Sequence, residues 1–129
     1  MNGFLIGTNA ALIALGSPHS LSTKIRSAIR AGPNVLSVVV YWEVVLKSMK
    51  GTLSIGDPRN WWRDALDQLA AVPLPIRAEH VARIWDLPPV HQDPFDRILV
   101  AQASAEGLAL VTRDAVVQRY ASGNVLIIS

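Results

Sequence analysis

The sequence predicts an α/β fold, a parallel sheet covered by helices on both faces. Three observations lead there. Short, fully apolar segments recur, among them FLI at 4–6 and LALVT at 108–112, as strands buried on both faces require. Segments with helical spacing of apolar residues alternate with them. Hydrophobic residues make up 50% of the 129 positions and charged residues only 17%, enough apolar material for one sizeable core. The expectation is therefore one domain over residues 1–129, with no repeat, low-complexity stretch or linker.

The elements follow in order. Gly3–Ile6 is a short strand, and Thr8 and Asn9 are cap candidates for a helix through Leu15 that Gly16, Ser17 and Pro18 end. Ser22 opens LSTKIRSAIRAG, a helix with Ile25 and Ile29 four apart and Gly32 past its end. Asn34–Leu36 reads as a strand. SVVVYWEVVLKSMKG runs as a helix from a Ser37 cap to a Gly51 stop, although Val38–Val40 locally favours a strand. Asp57 caps DPRNWWRDALDQL, with Pro58 at its first position. PLPI at 73–76 is a strand fragment, RAEHVARIWDL a short helix and PPVHQ a rigid loop. DPFDRILVAQASAEG repeats the pattern of cap, first-position proline and glycine stop. LALVT is a strand, DAVVQRY a helical turn and NVLII a terminal strand.

Composition narrows the function classes. With no cysteine, disulfides and thiolate metal sites are excluded, which suits a reducing compartment such as the cytoplasm. The N-terminus lacks the pattern of a signal peptide, and the longest apolar run, VLSVVVYWEVVL, is too short for a membrane span and is interrupted by Glu43. Residues 1–65 hold seven Lys/Arg against three Asp/Glu, and residues 66–129 hold five against seven. The basic half is compatible with a polyanion partner, but most basic residues on small domains are simply solvated. The acids carry more information.

In open parallel sheets, functional groups gather beyond the carboxyl ends of the strands. Gly7 follows FLI, Asp114 follows LALVT, Asp96 lies in the first turn of the DPFDR helix, and Glu43 lies on SVVVYWEVVLK. Each acid has a plain structural reading. Glu43 stands four residues before Lys47 and could form a surface ion pair. Asp96 could complement the helix dipole, with Asp93 as the cap before Pro94. Asp114 could cap the turn after it. Against these, Glu43 is flanked by apolar residues and Asp96 heads the core stripe Leu99, Val100 and Ala103. A buried acid needs a partner or a metal. Carboxylates from distant parts of the chain meeting at one sheet edge suit a hard cation, Mg²⁺ or Mn²⁺, of the kind that activates water for phosphodiester cleavage.

These motifs resemble the PIN-domain ribonucleases, specifically the VapC-type toxins of bacterial toxin–antitoxin systems. FLIGTNAALIAL is similar to that family's opening strand, Asp-Thr-His or Asp-Thr-Asn turn and apolar helix. LSTKIRSAI resembles its second helix, and SVVVYWEVVLKSMKGTL its Trp-Glu helix. LPPVHQDPFDRILVAQASAEGLALVTRD carries its Asp-Pro-Phe-Asp-Arg and Thr-Arg-Asp motifs. The resemblance implies a three-layer α/β/α PIN-like domain with a five-stranded parallel sheet. It implies an endoribonuclease that needs Mg²⁺ or Mn²⁺, acts on RNA, commonly forms a homodimer and is silenced by a cognate antitoxin protein, with no membrane partner. By the same resemblance Glu43, Asp96 and Asp114 match metal-holding acids. Thr8 and Thr112 take hydroxyl positions beside the first and last acids. Arg97 and Arg113 flank the acids and could contact RNA phosphate or an antitoxin acid, or act as counter-charges for the neighbouring acids. Asn9 is a structural position.

One position departs. Gly7 stands where the resembled family has Asp, a central metal ligand, so the chain as written is expected to be a poor or inactive nuclease. Without a second glycine or a Lys-Ser/Thr behind it, Gly7 does not read as a phosphate loop. Three readings follow: a toxin ribonuclease with an inactivating residue at 7, a natural non-catalytic module that binds an antitoxin-type protein or RNA, and an unrelated class such as a phospho-acceptor domain. The last wants acids at the end of the first strand, which are missing here. Trp61, Trp62 and Trp85 read first as core or interface residues and second as base-stacking platforms.

Overall fold

The computed structural model describes residues 2–89, 93–121 and 126–129. Val90–Gln92 of the expected PPVHQ loop, and Asn124 and Val125 of the expected last strand, lie outside that set. In chain order the elements are β1 (Phe4–Ile6), α1 (Thr8–Gly16), α2 (Thr23–Ala31), β2 (Asn34–Ser37), α3 (Val38–Met49), α4 (Pro58–Gln68), β3 (Ala71–Leu74), α5 (Ala78–Ile84), α6 (Pro94–Glu106), β4 (Ala109–Val111) and β5 (Ile127–Ile128). Short 3₁₀ turns occupy Pro18–Ser20 and Val117–Tyr120.

The five strands form one parallel sheet in the order β3-β2-β1-β4-β5. Helices cover it on both faces, giving the three-layer α/β architecture. Parallel neighbours need long crossovers, and the helices supply them. β1 is the central strand and is buried throughout, with Leu5 and Ile6 fully inaccessible. Leu36, Val39, Val40, Val44, Val100 and Val111 join the same core at 0% exposure. Each such side chain contributes about 1.5–3 kcal/mol by leaving water. α3 packs against α1, α4 and α6, and α5 packs on α6.

Local signals place the helix ends. Ser22 Oγ accepts from Ile25 N–H, and Asp57 Oδ1 from Arg59 N–H. Asp93 Oδ1 accepts from Phe95 and Asp96 N–H, with Pro94 at the first helical position. Gly107, at φ 66, ends α6 in the left-handed conformation that glycine adopts without a Cβ penalty. The β-branched run Val38–Val40 is helical because Ser37 Oγ caps Val39 N–H at 3.0 Å and because the core buries Val39 and Val40.

Two sequence expectations shift. The third strand is Ala71–Leu74 rather than 73–76, since Asn34–Ser37 pairs with it residue by residue and Pro75 has no N–H to extend a ladder. β3 is an edge strand, which is where Pro73 is tolerated. Thr8 is not the cap of α1. Gly7 takes that place without any side-chain bond, and Thr8 sits in the first turn with its hydroxyl turned elsewhere.

Candidate active site

After β3 the chain crosses back over β1 to build β4 and β5, so the strand order reverses beside the central strand. Ligand sites of open α/β sheets lie outside the carboxyl ends of the strands at such a reversal. A cleft of about 210 Å³ is there, lined by Gly7, Thr8 and Asn9 after β1, Glu43 and Lys47 from α3, Asp93 and Asp96 from α6, and Thr112 and Asp114 after β4. Leu99, Leu110 and Val117 form its apolar floor.

Every acid singled out in the sequence is on this wall. Glu43 is 8% exposed and both of its oxygens are engaged. Thr8 Oγ1 donates to Oε1 at 2.7 Å, and Lys47 Nζ lies 3.0 Å from Oε2. Asp96 stands in the first turn of α6, near the positive end of the helix dipole. Asp114 Oδ1 accepts from the N–H groups of Val116 and Val117, so it also caps the 3₁₀ turn, and no bond to Oδ2 occurs among the described residues. Thr112 Oγ1 accepts from Asp114 N–H at 3.0 Å and fixes the loop between them. The amino ends of α1 and α6 both border the cleft, and the positive ends of their helix dipoles favour negative charge there.

Gly7 lies between these groups. Its φ of −70° and ψ of 165° are extended values that any residue adopts, so the backbone does not demand glycine. Space is tighter. A Cβ at position 7 would sit 2.9 Å from the Val111 carbonyl oxygen and 3.8–3.9 Å from Thr112 Cβ and Oγ1. The same Val111 oxygen accepts the Gly7 N–H at 2.8 Å.

The two arginines are set differently. Arg97 is not on the cleft wall and bonds the carbonyls of Ile84 and Pro88 and the Tyr120 hydroxyl, tying α6 to α5 and to the 3₁₀ turn. Arg113 is exposed and lines a separate groove with Ser20, Ser22 and Gln118. The tryptophans divide as well. Trp61 is buried, Trp62 stacks on Tyr41 with ring centroids 4.8 Å apart, and Trp85 is 92% exposed.

The i,i+4 spacing allows a Glu43–Lys47 pair, and the pair forms, but the spacing alone does not place Lys47 in the cleft, where it lies. Sequence reasoning also missed a second cluster. Among the described residues, Glu79, His80 and Glu106 form the group of potential ligand atoms that all lie within 4.8 Å of one another. The cleft acids are not drawn together that tightly. His80 is fully buried, and its Nδ1 accepts from Arg77 N–H at 3.0 Å and faces Gln102 Nε2 at 3.2 Å. The ring proton then belongs on Nε2, 3.3 Å from Glu106 Oε2. That arrangement anchors α5 on α6 and leaves no lone pair on Nε2 for a metal.

The donor set of the cleft is all oxygen, which fits Mg²⁺ or Mn²⁺, although position 7 supplies none of it. No curated protein sequence matches the chain. In fold it is similar to a chain of the Rickettsia felis VapBC2 complex bound to a promoter DNA fragment, at TM-score 0.72 and 17% identity over 96% of each chain. It is also similar to a chain of the DNA-bound VapBC of Salmonella typhimurium, at TM-score 0.70 and 14% identity over 98% of this chain and 97% of that one. A third likeness is to FitAcB of Neisseria gonorrhoeae, at TM-score 0.66 and 17% identity, covering 98% and 96%. The family model of the PIN domain matches residues 5–123, nearly the whole sequence, and the chain belongs to the PIN domain family.

Proposed function

We propose that this chain is a VapC-type endoribonuclease toxin, one PIN domain over residues 1–129, weakened by the missing carboxylate at position 7. The observation that carries the reading is the meeting of Glu43, Asp96 and Asp114 in one cleft beside Gly7. Asp96 and Asp114 would hold Mg²⁺ or Mn²⁺, with Glu43 as a third donor once it is released from Lys47. Such an ion, when bound, supplies charge stabilisation at a phosphodiester and an activated water. The chain's own residues do the rest. Thr8 holds one Glu43 oxygen, Thr112 holds the loop that presents Asp114, and Asp93 fixes the first turn that presents Asp96. Leu99, Leu110 and Val117 give the cleft its apolar lining beside them. RNA is the substrate and an antitoxin protein the partner, in a cytoplasmic setting; likeness in fold to chains of VapBC complexes supports this. No helix among the described residues is long and apolar enough to cross a membrane.

A second reading has its own support. The Val111 carbonyl sits where a Cβ at 7 would press, which suits a chain settled on glycine and acting as a non-catalytic module that binds an antitoxin-type protein or RNA. One assay separates the two. Gly7→Asp should gain Mn²⁺-dependent cleavage of single-stranded RNA and arrest growth when expressed, and Asp96→Asn in that background should remove both. No gain over the parent chain at any Mn²⁺ concentration would favour the binding module.

A further inference from the structure

We propose that Lys47 is the resident counter-cation of the cleft and competes with a divalent ion for Glu43. The inference rests on the cation-site reading above and adds a residue that limits it.

Glu43 is buried, and a buried carboxylate needs compensation. It has two partners of different kinds. The Thr8 hydroxyl, itself buried, donates to Oε1 and brings no net charge. Lys47 brings a full positive charge to Oε2 at 3.0 Å, reaching it from one turn further along α3. Oε2 is thus already neutralised by the protein. A dication using Glu43 as a donor must displace the ammonium or share the carboxylate against repulsion.

Lys47 is built to be displaced. Its side chain is 39% exposed while that of Glu43 is 11% exposed, so the ammonium can swing to water as the carboxylate stays. Two of the other cleft acids, Asp93 and Asp114, accept backbone N–H bonds at their own turns. The absence of a carboxylate at position 7 shifts the balance further. With less negative charge to hold two cations, the chain favours the tethered one.

The test is a Mn²⁺ titration read by the electron paramagnetic resonance of free ion, in the parent chain and in Gly7→Asp. Lys47→Met keeps the aliphatic stem and removes the charge. It should tighten Mn²⁺ binding about tenfold in both backgrounds, as expected for removing one charge a few ångströms from a dication in water-like screening. Lys47→Arg should stay within about twofold of the parent. Lys50→Met, which removes the same charge from the exposed end of α3, should do likewise. Lys47→Gln repeats the reading if Lys47→Met is poorly folded by circular dichroism. Saturable Mn²⁺ binding that ignores Lys47→Met, or tightens equally with Lys50→Met, overturns the competition alone. Absence of saturable binding in every variant, Gly7→Asp included, overturns the cation-site reading and the competition with it.

Discussion

Placing a side chain at position 7 has a stability signature that separates shape from charge. In Gly7→Ala two effects oppose. The φ and ψ of −70° and 165° suit alanine, and the lost freedom of the unfolded chain favours the variant by about 0.4–1 kcal/mol. The new Cβ meets the Val111 oxygen at 2.9 Å. That atom is backbone in a fully buried residue and is also bonded to the Gly7 N–H, so relief must move the seam between β1 and β4. Overpacking of this kind costs about 1–3 kcal/mol, leaving a net loss near 1 kcal/mol. For a chain of this length that lowers Tm by about 4 °C. Gly7→Asp adds a carboxylate to a wall that already carries Glu43, Asp96 and Asp114, at about 1 kcal/mol for a like charge 4 Å away in water-like screening. Position 7 also caps α1, where a carboxylate is worth about 1 kcal/mol over alanine, so without divalent ion Gly7→Asp should melt close to Gly7→Ala. Mn²⁺ at a hundred times its Kd should return about 2.7 kcal/mol to Gly7→Asp, more than to Gly7→Ala or the parent. Calorimetric melts with Mn²⁺ or with chelator decide it. A Gly7→Asp chain that gains no more from Mn²⁺ than Gly7→Ala does would refute the placement of that side chain among the acids.

Three further outcomes are expected. Asn34→Ala removes the buried Nδ2 that donates to the Ile29 and Leu69 carbonyls, at 2.8 and 2.9 Å, and should cost about 1–3 kcal/mol in urea denaturation. Side-chain bonds from Arg59, with its backbone N–H, hold the Asp57 carboxyl down from its ordinary 3.8 to about 2. The folded state therefore releases this proton more readily than the unfolded one, and the contribution is present above pH 3.8 and lost as pH falls through about 2. Arg59→Ala should move the Asp57 midpoint, followed by carboxyl NMR, upward toward 3.8. Trp85→Ala, at a site 92% exposed, should leave stability within about 0.5 kcal/mol by the same urea assay.

Much of the fold was legible because the deciding signals are local. Ser22, Asp57 and Asp93 each stand where an oxygen can meet an N–H two or three residues on, and each does. The limits of β3 were not legible, because pairing with β2 sets them. The gathering of Glu43, Asp96 and Asp114 in one cleft follows from strand order: Asp114 follows β4, Asp96 opens α6, and Glu43 lies mid-way along α3 among apolar residues. The direction of a long side chain was harder to read. Arg97 turns toward the end of α5 because the Ile84 and Pro88 carbonyls and Tyr120 lie there, elements up to 23 residues away in sequence. Lys47 reaches the cleft because Glu43 is buried, and burial of one member of an i,i+4 pair depends on what packs over α3.

The reversal of strand order beside β1 also governs when the site can exist. Its acids come from positions 43, 96 and 114, with the gap at 7, so closing it requires loops that span most of the chain. No amino-terminal fragment that stops short of β4 contains more than part of the cleft. The central strand must be flanked on both sides before Asp114 can face Glu43. The site is therefore complete only when the β1–β4 seam has formed, and it cannot persist through local opening of that seam. A nascent or partly opened chain is chemically silent at this edge, and any activity the cleft has is switched by the folding equilibrium itself.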